Sequence, residues 1–115
     1  MTRNERAETL RDLILLRAPV VETAARLSSF LWDSEEELVM FTRGDARRIL
    51  DAYLSGVMQE SEVQEWANVL ESRDDIGFEG GSEDILKEFI FRLANPEITQ
   101  PLNHEAAAEQ RRLLE

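Results

Sequence analysis

The stretch TRGDARRILDAYLSG, residues 42–56, limits the fold more than any other part of this 115-residue chain. From it into the next residue, Ala46, Ile49, Leu50, Tyr53, Leu54 and Val57 recur at three- and four-residue intervals, so a helix gathers them on one face while a strand scatters them over two. Thr42, with Asp45 three residues on, has the form of a capping box, in which each side chain satisfies a backbone N–H left open at a helix start. Gly56 is placed as the stop, since glycine adopts a left-handed backbone without steric cost. Such a helix must cover its apolar stripe with other elements, and the neighbouring segments supply them.

The same period recurs along the chain. RAETLRDLILLR (6–17) brings Ala7, Leu10, Leu13 and Ile14 to one face. Pro19 ends that helix and opens a second, with Val20, Val21, Ala24, Leu27 and Leu31 as its stripe. DSEEELVMF (33–41) predicts a further helix start, with Ser34 as cap, Glu37 reaching back to it, and Glu35, Glu36 and Glu37 at the positive end of the dipole. ESEVQEWANVLESR (60–73) turns Val63, Trp66, Ala67 and Leu70 inward and leaves Glu62, Gln64 and Glu65 opposite. SEDILKEFIFRLAN (82–95), capped by Ser82, buries Ile85, Leu86, Phe89, Ile90 and Leu93 and stops at Asn95-Pro96. Asn103 caps a last helix, HEAAAEQRRLLE (104–115), whose Ala-rich face carries the weakest core signal. Strand-type alternation is missing, and GFEGG is too short to count. The expected fold is all-α: a compact bundle of about five to six short helices in a single domain over residues 1–115, with residues 96–115 packed loosely or against a partner.

Composition narrows the chemistry. Hydrophobic residues make up 43% of the chain, enough for a core, and with no cysteine there is no disulfide, thiol nucleophile or thiolate metal site. Arg17, Glu22 and Arg26 interrupt the most apolar early stretch, so no membrane span is expected. The N-terminal residues lack the shape of a secretory signal, and the expected location is the cytoplasm. The net charge is −11, and residues 33–84 supply all of it with fifteen acids against four Arg. That field opposes direct nucleic-acid binding and favours a basic protein partner, while also serving solubility.

The segment ESRDDIGFEGGSED (71–84) is the densest candidate site, and a calcium loop is the first chemistry to test there. Such a loop needs oxygen ligands at positions one, three and five, Gly at six and Glu at twelve. Starting at Asp74 places Ile76, Phe78 and Ile85 at three, five and twelve; starting at Asp75 places Gly77 and Leu86 at three and twelve. Both registers fail, and the glycines lack phosphate-loop spacing. Glu62-x-x-Glu65 and Glu71-x-x-Asp74 have the pairing of helical nucleotide pyrophosphatases, but they share one helix and cannot face each other across a cleft. His104 is the single histidine, and Ser28 and Ser29 stand in no nucleophile context, so neither a catalytic residue nor a cofactor or metal site is expected. Instead, Ile76 and Phe78 are apolar residues among acids, either pinned to the core or serving as anchors inside a charged rim. Trp32 has the same two readings.

ILDAYLSGVMQESEVQEWANVL (49–70) resembles small bacterial immunity proteins of the self-protective, colicin-D-like type: a helix closes in Tyr53-Leu54-Ser55-Gly56, and an acidic helix with an aromatic, Glu62-Val63-Gln64-Glu65-Trp66, follows. The resemblance covers about a fifth of the chain and carries over no contact residue. It implies an acidic, all-helical inhibitor that neutralises a basic nuclease toxin. The leading expectation is therefore a protein-binding module using Asp74, Asp75, Ile76, Phe78, Glu79, Glu83 and Asp84 against a basic partner. The alternatives are a structural or adaptor protein that dimerises through its Ala-rich last helix, and a metal-dependent nucleotide hydrolase.

Overall fold

Pro19, Gly56 and the Asn95-Pro96 pair divide the apolar periodicity, and the chain changes direction at each of them. In the computed structural model, residues 3–28, 37–71, 73 and 75–115 are described, with elements α1 (Arg3–Ile14), α2 (Val20–Leu27), β1 (Val39–Phe41), α3 (Arg43–Leu54), α4 (Glu60–Glu71), β2 (Ile76–Phe78), α5 (Glu83–Ala94) and α6 (His104–Leu113). The architecture is an all-α bundle of six helices carrying one short strand pair.

The helix ends follow from their sequences. Thr42 Oγ1 accepts from the Asp45 N–H at 3.2 Å and Asp45 Oδ2 accepts from the Thr42 N–H at 3.0 Å, completing the capping box of α3. At the other end Gly56 takes φ +84°, and the N–H groups of Gly56 and Val57 reach back to the carbonyls of Tyr53 and Ala52. This is the glycine-closed turn that satisfies two open carbonyls. Helix α1 closes by the same bond pattern, from Leu16 to Leu13 and Arg17 to Asp12, with Leu16 at φ 58° where glycine would be unstrained. Asn103 caps α6 by accepting the Ala106 N–H at 2.8 Å. Ser82 occupies the cap position of α5 but makes no side-chain bond there.

Helix α4 is the centre of packing. Val63, Trp66, Ala67 and Leu70 are buried, α5 lies against them over its length, and the indole N–H of Trp66 donates to the Leu13 carbonyl on α1 at 3.0 Å. Phe41 from β1 sits 5.8 Å from the Trp66 ring and 6.3 Å from Phe78, so the strand pair joins the core through aromatic contacts.

Three expectations need correction. Residues 38–41 do not continue a helix: the N–H groups of Leu38 and Val39 bond the Asp75 carbonyl, and β1 pairs in parallel with β2 in the register Val39 with Ile76, Met40 with Gly77 and Phe41 with Phe78. Ser34, Glu35, Glu36 and Trp32 lie outside the described residues. Val21, Val57 and Ile85, assigned inward by their spacing, are exposed. The period identifies a helix's buried face but not its width. Finally, α6 does not pack loosely: Ala106, Ala107 and Leu114 are buried with α6 against α3, Arg47 donates to the Leu114 carbonyl at 2.7 Å, and Arg111 pairs with Asp51 at 2.6 Å.

Candidate partner-binding surface

The acidic segment after α4 proves to be divided between interior and surface. Asp75 is fully buried. Its carboxylate accepts from Arg6 Nε at 2.8 Å, Arg73 Nε at 2.8 Å and Arg73 Nη2 at 2.9 Å. Burial acts to raise the pKa of Asp75, but the bonds and charges of Arg73 and then Arg6 outweigh it and hold the carboxyl below its ordinary range. Its charge is thus matched internally, and Asp75 cannot steer a partner from the surface. Ile76 is likewise buried, so the pinned reading applies to it and not the anchor reading.

Phe78 is half-buried between Phe41 and the ammonium of Lys87, which stands 5.6 Å from its ring. Gly77, next to Phe78 on β2, lies under the Glu37 carboxylate: a Cβ there would meet Glu37 Oε1 at 2.8 Å, so a larger residue would have to turn that side chain aside. Glu79 accepts from both the backbone N–H and Nε of Arg43 at 3.1 Å, and the backbone bond is the main cause of its lowered pKa. Glu83 pairs with Lys87 at 2.8 Å and holds that ammonium's pKa above its usual value. Asp84 is exposed beside Glu83 in the first turn of α5, and Asp74 lies outside the described residues. Of the expected partner-binding set, the structure therefore leaves Glu83 and Asp84 fully at the surface, with Phe78 and Glu79 partly so.

A second acidic surface stands on α4. Glu60, Glu62, Glu65 and Glu71 are all exposed, and among the described residues none of them forms an ion pair. Two have polar contacts: Glu62 accepts the Gln59 N–H at 2.9 Å, and Glu71 accepts from Asn95 Nδ2 at 2.9 Å. The helix dipole favours Glu60 and Glu62 in the first turn, but it gives no such support to Glu65 or Glu71. Apolar groups flank this ridge. Val57, three residues before Glu60, is 75% exposed. Ile98, 69% exposed, lies on the linker whose Pro96 and Gln100 line a narrow cleft together with Glu60, Gln64 and Arg92, the last of which is paired with Glu88.

Sequence reasoning assigned Glu62 and Glu65 to a solvated face and passed over the signal that distinguishes them. No Lys or Arg stands anywhere between Arg48 and Arg73. Acids elsewhere have cations within a turn or two, as Glu88 has Arg92 at 2.9 Å and Asp45 has Arg48 at 2.8 Å. Of the acids of α4, Glu60, Glu62 and Glu65 have none so near in the sequence, and the cation two residues after Glu71, Arg73, is bound to Asp75 instead.

Other candidate chemistry is located as follows. Glu62 and Glu65 share α4 with Glu71, and among the described residues no group of three or more His, Asp or Glu side chains is placed to hold a metal ion. His104 packs edge-on against Tyr53 at 5.3 Å, and Ser28 donates to the Ala25 carbonyl at 2.7 Å. The Ala-rich face offered as a dimer surface is already covered by α3 of the same chain. No described helix is long and apolar enough to cross a membrane. Comparison with protein-family models, with curated proteins and with solved structures gives no match.

Proposed function

We propose that this chain is an acidic protein-binding module of the immunity or inhibitor kind, which docks the exposed carboxylates of α4 onto a basic surface of another protein. The observation that carries this reading is the set of four exposed carboxylates on α4 without a cationic partner among the described residues. Like charges held on one rigid helix repel one another, so a basic partner both finds them by long-range attraction and relieves that repulsion on binding. Val57 and Ile98 supply apolar area beside the charges, as an anchor within a polar rim requires. The stretch that resembles colicin-D-like immunity proteins, residues 49–70, covers the second half of α3, its glycine stop and nearly all of α4, and it contains no basic residue. A nuclease toxin is a partner of the right charge, since its own substrate demands a basic cleft.

The test compares the wild-type chain with a variant in which Glu60, Glu62, Glu65 and Glu71 are replaced by Gln. Both are immobilised and exposed to lysate of the source organism at low and high salt. The reading expects a basic protein retained by the wild type, released by salt, and absent from the variant, whose helical circular dichroism is unchanged. An identical set of retained proteins on both would overturn it.

A further inference from the structure

We draw no further inference here: the strongest candidate, the apolar groove between α5 and α6 lined by Ile85, Phe89 and Leu113, is an unpartnered face, and nothing in the structure shows what covers it.

Discussion

Replacing Asp75 by Asn removes one charge from a cluster in which the carboxylate is fully buried and its two guanidinium partners are 11% and 17% exposed. Three bonds to that carboxylate, at 2.8, 2.8 and 2.9 Å, are lost or weakened. Charge-assisted bonds contribute about 1.5–3 kcal/mol each, which bounds the loss at about 9 kcal/mol. Two effects reduce it. Asn retains one acceptor oxygen, and the guanidinium groups reach enough water to be partly resolvated once the charge is gone. Removing one member of a buried pair costs about 3–5 kcal/mol, and the partial exposure of the arginines puts Asp75→Asn at the lower end, about 3 kcal/mol. With a urea slope of about 2 kcal/mol per molar, the unfolding midpoint at pH 7 falls by roughly 1.5 M.

Acid gives an independent check on the same cluster. The folded pKa of Asp75 lies below the unfolded value near 3.8, so its stabilisation is complete above that value and is lost as the pH falls through the folded one. The difference between wild type and Asp75→Asn should stay level from pH 7 to about pH 5 and narrow below about pH 4. A loss under about 1 kcal/mol at pH 7, or a difference undiminished in acid, would refute the assignment of a buried, internally matched charge. A partner-facing Asp75 would give the opposite pattern, with altered salt dependence of binding and unchanged urea unfolding.

Two further substitutions test the bundle. Trp66→Phe removes the N–H bonded to the Leu13 carbonyl and leaves a void between α1, α4 and β1, so thermal unfolding should show a loss of about 2–3 kcal/mol. Asn103→Ala removes the cap of α6 and should cost about 1 kcal/mol by urea unfolding, with the buried Leu114 and the Arg47 contact keeping the helix docked.

Local chemistry was legible in the sequence wherever the partners lay close along the chain. Thr42 with Asp45, Asn103 with Ala106, the stop at Gly56 and the buried face of α4 all involve residues within a few positions of each other. The strand pair was not legible, because three residues are too few to show alternation and because β1 finds its partner more than thirty residues away. The role of Asp75 was hidden for the same reason. Asp74 and Asp75 are equivalent in composition and spacing, and Asp75 is singled out by Arg6, sixty-nine positions earlier. The unpaired acids of α4 were legible in principle, from the missing Lys and Arg between positions 48 and 73.

The distribution of arginine explains why the charge excess emerges as a local field. The chain has twelve Arg and a single Lys. Several of these connect elements that the apolar core brings together: Arg6 binds Asp75, Arg26 and Arg17 bind Asp12, Arg43 binds Glu79, and Arg111 binds Asp51. Among the described residues no such pair reaches α4, which is held by its four buried apolar and aromatic side chains and by the bonds from Trp66 and Asn95. A basic partner approaching Glu83 or Glu88 must displace Lys87 or Arg92, giving back the small stabilisation of those exposed pairs. On α4 no paired cation among the described residues needs to be displaced, only the neutral contacts of Glu62 with Gln59 and of Glu71 with Asn95, so each new pair contributes most of its modest attraction. The helix that packs most centrally in the core thus also has an outer face that a cationic surface can occupy without displacing a paired cation among the described residues.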